Sequence, residues 1–171
     1  MIFQILGGIV VIGATTLLGL HFASLGARRA KDLMEMKKSL IMLKSQMDFA
    51  IYTMPQSFLH VSRRVSPPFS AFYAQLSKRL EDGEVSICDA WEQGVEMLSK
   101  GYLHREDLEN IAALATTLGA MDVDVQLNSI DMLIANIDDT LAKLGTQNPK
   151  DARMYRGLGI ISGLLITIVL M

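Results

Sequence analysis

LMEMKKSLIMLKSQMDFAIYTM, residues 33–54, is the stretch on which the fold turns. Its apolar positions Leu33, Met36, Leu40, Leu43, Met47, Ala50 and Met54 step alternately by three and four. That spacing keeps one stripe of a helix turned toward a partner helix. Pro55 lacks the N–H that a helix interior needs, and so predicts the helix end. A second seam of the same kind runs from about Val123 through Leu127, Ile130, Ile134, Ile137, Leu141 and Leu144. Two long helices with matching seams predict antiparallel neighbours, which bring both ends of the chain to the same side.

Four shorter helices are expected between them. Residues 56–65 supply Phe58, Leu59, Val61 and Val65 before Pro67 and Pro68 force a turn. Phe69, Phe72, Tyr73, Leu76 and Leu80 mark the next helix, ended at Asp82-Gly83. Ser86 followed by Asp89 is a loose capping box. It opens a helix carrying Ile87, Trp91, Val95 and Leu98 that Gly101 closes, with Trp91 as a packed anchor. The last runs from about Arg105 to Leu118, with Gly119 suited to the left-handed residue after a helix. No run alternates long enough to argue for a strand. The reading is all-α: a six-helix antiparallel bundle over residues 28–156, flanked by N- and C-terminal transmembrane helices.

The flanks are read from charge. Residues 1–27 hold no charged side chain, and a helix of that length crosses a hydrocarbon layer of about 30 Å with room for tilt. A cleaved signal peptide would carry basic residues ahead of the apolar run, and none precedes Arg28. Residues 157–171 are uncharged too. As a helix they reach only about 22 Å, a short span whose alternative is a buried core helix. Within it Gly159 and Gly163 form a small-xxx-small pattern that lets another helix approach closely.

Basic residues collar both spans: Arg28, Arg29 and Lys31, then Lys37, Lys38 and Lys44, after the first, and Lys143, Lys150, Arg153 and Arg156 before the second. Both collars face the middle domain, which the positive-inside rule assigns to the cytoplasm. Arg28, Arg29, Lys31, Arg153 and Arg156 are the expected membrane-interface residues. Residues 45–142 carry 6 basic and 15 acidic side chains, so the formal net charge of −2 hides a polarised molecule. An anionic bilayer surface attracts the collars and repels the distal region. Glu81, Asp82, Glu84, Glu92 and Glu96, with Asp89 among them, form an acidic run. This is a solvated helix face rather than a calcium loop, and a candidate partner-binding surface. Met34 and Met42 lie off the seam and are interface candidates.

Little else in the chain suggests chemistry. A single cysteine, Cys88, excludes an internal disulfide. His21, His60 and His104 fall in a span, a short helix and a loop, without metal-ligand spacing. No phosphate-binding loop is present. Neither catalysis, a cofactor, a metal nor a nucleic-acid partner is expected.

Four short strings carry a resemblance: Gly13-Ala-Thr-Thr, Asp89-Ala-Trp-Glu-Gln93, Thr117-Leu-Gly-Ala-Met-Asp122, and Gly157-Leu-Gly through Val-Leu-Met171. With its length and double anchor, the chain resembles the stage III sporulation protein AB family of endospore-forming bacteria. That resemblance implies a component of the mother-cell membrane around the forespore. It would belong to a secretion-like channel complex, with a helical domain similar to the cytoplasmic domains of the type II secretion inner-membrane platform protein. The partners it implies are the secretion-type ATPase, stage III sporulation protein AA, and other membrane subunits, with homo-oligomers a further expectation. The interruption from Gly145 to Pro149 departs from the pattern and predicts a kink or short break. A membrane-anchored helical sensor or signalling adaptor is the alternative.

Overall fold

The computed structural model describes residues 2–49, 52–83, 85–119 and 122–145, and before Ser24 only the helical course of the backbone. The helices are α1 (Ile2–Asp48), α2 (Met54–Ser62), α3 (Phe69–Glu81), α4 (Ile87–Leu98), α5 (Arg105–Ala113), α6 (Ala115–Leu118) and α7 (123–145). The described residues contain no strand, as the periodicities require. Residues 29–141 form one compact unit, and residues 1–28 with 142–171 belong to a second. The first predicted span coincides with the start of α1, whose side chains before Ser24 lie outside the described residues, as does the whole of 157–171. Among the described residues, no helix is long and apolar enough to cross a membrane.

Within residues 29–141, α1 and α7 are antiparallel. Lys37 Nζ donates to both carboxylate oxygens of Asp138 at 2.5 and 2.7 Å. Lys44 Nζ meets Asp131 at 2.6 and 2.5 Å. Seven residues forward on α1 is seven residues back on α7, so the register is fixed at two levels. Leu33, Met36, Leu40 and Leu43 are fully buried on the inner face of α1, as the seam predicts.

α7 is turned slightly from its expected orientation. Gln126, Ile130, Leu133 and Ile137 are buried, whereas Leu127, Ile134 and Leu141 are half-buried on the flank. The cause is a third neighbour. Leu33 of α1, Ile111 of α5 and Leu133 and Ile137 of α7 converge on one small cavity, so α7 sits in a corner between two helices. A stripe facing a corner is rotated relative to one facing a single partner.

The centre of the domain is aromatic. Phe58 of α2, Phe72 and Tyr73 of α3 and Trp91 of α4 are all fully buried. The Phe72 ring meets Trp91 edge-on at 5.1 Å and Tyr73 at 4.9 Å, in the T-shaped geometry aromatic quadrupoles favour. The Tyr73 hydroxyl lies 2.9 Å from Ser39 Oγ, which itself donates to the Met36 carbonyl. α3 and α4 approach so closely that a Cβ on Gly94 would lie 2.7 Å from the Phe72 ring.

Three boundaries differ from the sequence reading. α1 ends at Asp48, and Pro55 lies inside α2 instead of terminating α1. In the first helical turn a missing N–H costs nothing. Thr53 is extended ahead of it, its N–H donating to Gln56 Oε1 at 3.2 Å and its carbonyl accepting from Ser57 at 2.8 Å.

The predicted fifth helix is broken at Leu114 into α5 and α6. Trp91 Nε1 donates to the Ile111 carbonyl at 2.8 Å, and Cys88 Sγ to that of Ala115 at 3.0 Å. Thr116 and Thr117 hydroxyls take the carbonyls of Ala113 and Leu114, a competition that weakens helical continuity. Gly119 has φ −83, not a left-handed angle. Its absent side chain instead admits Cys88 Sγ, 3.0 Å from where a Cβ would stand. Gly83, with φ +69, is the left-handed residue after α3.

Candidate docking surfaces

The charged residues of α1 hold the domain to that helix. Arg29 makes a two-pronged bond to Asp107 of α5, Nε to Oδ2 and Nη2 to Oδ1 both at 2.8 Å. The side chains are only 13% and 4% exposed. Asp107 Oδ2 also accepts the His104 N–H at 2.8 Å, which caps α5. Asp32 accepts the Tyr102 N–H at 3.1 Å in the loop before α5, and Glu35 accepts that of Ser66 at 3.0 Å in the loop before α3. Of the predicted membrane-interface residues, Arg29 is thus engaged inside the domain. Arg28 and Lys31 are exposed, and Arg153 and Arg156 lie outside the described residues.

The acidic run presents an open face. Glu81 and Asp82 at the end of α3, and Asp89, Glu92 and Glu96 along α4, are all exposed, while Glu84 lies outside the described residues. Asp89 is committed to the helix start: its N–H donates to Ser86 Oγ at 3.1 Å, and Ser86 Oγ donates back to its carboxylate at 2.7 Å. Glu81, Asp82, Glu92 and Glu96 make no ion pair among the described residues. Unneutralised carboxylates on adjacent helices make a surface of negative potential.

A different surface lies along α1 and α7. Met34, Ile41 and Met42 of α1 and Leu141 of α7 line a groove of about 510 Å³, with Lys37 and Lys38 beside them. Met34 is 57% and Ile41 49% exposed. Met34 and Met42 are marked by the sequence because they sit off the seam. Ile41 escapes notice because one apolar residue outside a stripe is ordinary.

A family model for stage III sporulation protein AB matches residues 4–171. The chain belongs to this family. Stage III sporulation protein AB of Bacillus subtilis (strain 168) is 22% identical over 169 residues, spanning 98% of this chain and 99% of that protein. A solved structure of stage III sporulation protein AB superposes with a TM-score of 0.67 at 18% identity. It covers 71% of this chain and 97% of its own length, which shows a shared fold.

Two of the strings on which the resemblance rests prove structural. Asp89-Ala-Trp-Glu-Gln93 caps α4 and plants Trp91 in the core, and Thr117-Leu-Gly closes α6 against Cys88. Gly159 and Gly163, like the remaining strings and His21, lie where no side chain is described. His60 stacks on Tyr52 at 4.3 Å, and His104 is the N-cap of α5. No group of three or more His, Cys, Asp or Glu among the described residues could hold a metal ion.

Proposed function

We propose that this sporulation protein is a membrane-held platform: an all-α domain that docks cytoplasmic machinery while its two ends anchor it in the mother-cell membrane around the forespore. The observation that carries the proposal is the open acidic face of Glu81, Asp82, Glu92 and Glu96, none of which makes an ion pair among the described residues. In proteins, groups of unpaired like charge steer partners of opposite sign. The partner of this reading is the secretion-type ATPase, stage III sporulation protein AA. Other membrane subunits of a secretion-like channel complex sit alongside it. The helical domain then plays the part that the cytoplasmic domains of the inner-membrane platform protein play in type II secretion. Arg28, Lys31, Arg153 and Arg156 collar the anchors, and Gly159 and Gly163 pack helices within the bilayer.

The test uses the full chain in detergent and purified stage III sporulation protein AA. Changing Glu81, Asp82, Glu92 and Glu96 together to Lys is expected to abolish pull-down, and added salt to weaken the wild-type complex. Pull-down that survives the reversal at full strength overturns the electrostatic reading. Deleting the gene in a spore former is expected to leave engulfment normal and arrest forespore development. Intact sporulation would favour the signalling adaptor instead.

A further inference from the structure

The groove along α1 and α7 has an internal order. Lys37 pairs with Asp138 and Lys44 with Asp131, and the same antiparallel register sets Met34 level with Leu141 and Ile41 level with Ile134. Apolar and ionic levels therefore alternate, each kind recurring every seven residues on both helices. All four apolar side chains are half-buried or exposed. Apolar residues at seven-residue spacing on two neighbouring helices match the side-chain ridges of a third helix.

The charge at the groove identifies what that helix must carry. Asp131 and Asp138 are taken by their lysines, and Glu35 accepts the Ser66 N–H. Lys38 remains 52% exposed, with Glu35 as an ion partner only at 3.9 Å. Lys38 therefore offers one loosely paired positive charge at the rim of an apolar floor. A second copy of this chain paired face to face would set Lys38 against the same positive rim, which disfavours it. A bilayer would have to desolvate the Lys–Asp levels, which is costly.

We infer that the α1–α7 groove is a docking site for an amphipathic helix of another protein, one with apolar residues seven apart flanked by carboxylates. It is separate from the acidic face proposed above, and takes a partner of the opposite charge pattern. The two surfaces let one domain hold two partners.

The probes are two fluorescent, helix-stapled peptides with leucines seven residues apart. One has glutamates on its flanks and the other lysines. Binding to the full-length chain in detergent is read by anisotropy, for the wild type and for Ile41→Glu and Lys38→Glu. Met34, Lys38 and Ile41 are exposed, so these variants keep the core, and a thermal melt matching the wild type verifies it. The glutamate peptide should bind the wild type, and Ile41→Glu should weaken it by about tenfold or more, the loss of one buried apolar contact or one opposed charge. Lys38→Glu should invert the preference toward the lysine peptide. Equal binding of both peptides, no binding, or indifference to Ile41→Glu overturns the proposal. So does self-association of the chain abolished by Ile41→Glu, which would assign the groove to a second copy. Lipid contact of a spin label at Met34→Cys in nanodiscs would assign it to the membrane and equally overturn it.

Discussion

Tyr73 shows how one buried side chain ties stability to pH. Burial holds its phenol well above the ordinary tyrosine range, and the Ser39 hydrogen bond pulls the other way more weakly. The unfolded chain ionises near the ordinary value of 10.0 while the folded chain stays neutral, so the stability is full below that pH and falls as pH rises beyond it. Melting temperatures recorded between about pH 9 and 11 should drop more steeply for the wild type than for Tyr73→Phe. At neutral pH that variant should lose about 1 kcal/mol, the net worth of one hydrogen bond. Gly94 makes a different demand. Alanine normally gains about 1 kcal/mol over glycine inside a helix, but here its Cβ would stand 2.7 Å from the Phe72 ring. Gly94→Ala should therefore destabilise by about 1–3 kcal/mol in urea titrations, the usual cost of overpacking. Phe72→Leu in the same chain should recover part of that loss.

Among the elements, α5 depends on a carboxylate with two duties. Asp107 accepts the Arg29 fork and caps its own helix. Asp107→Ala strands a largely buried guanidinium and removes the cap, so it should cost about 3–5 kcal/mol and more than Arg29→Ala. Chemical denaturation of both variants checks the order. The existence and order of the helices were legible because their core stripes are periodic in sequence. Leu33, Met36, Leu40 and Leu43 needed no structure to be placed inside. The break at Leu114 was not legible, because it is made by Trp91 and Cys88, which lie more than twenty residues away in sequence. Pro55 misled for a related reason: proline closes one helix and opens the next equally well, and Gln56 decides between them from outside the pattern. The acidic face could be read from composition as a run of charges. Its lack of ion partners could not, since pairing depends on tertiary neighbours. Arg29 gives the converse case, a residue that reads as collar and is fastened to Asp107.

For the whole molecule, the polarity written in the sequence is softened by folding. Asp107, Asp131 and Asp138 all belong to the acidic middle stretch, yet each faces a base of α1. Of the acids that remain, Glu81, Asp82, Glu92 and Glu96 stand exposed at the end of α3 and along α4. Exchanging Lys37 and Asp138 should show the wiring: Lys37→Asp or Asp138→Lys alone should cost up to about 1 kcal/mol at low salt, and the double swap should restore most of it. No recovery would mean that the antiparallel register is wrong. That register also limits how the gene can change in length. Inserting one codon between Lys37 and Lys44 would move every later level of α1 past its counterpart and roll the stripe by about 100°. Adding seven codons to each of α1 and α7 would preserve every match. Length variation among relatives should therefore gather in the turns near Tyr52, Ser66 and Gly101, while these two helices change size only in whole heptads and only together.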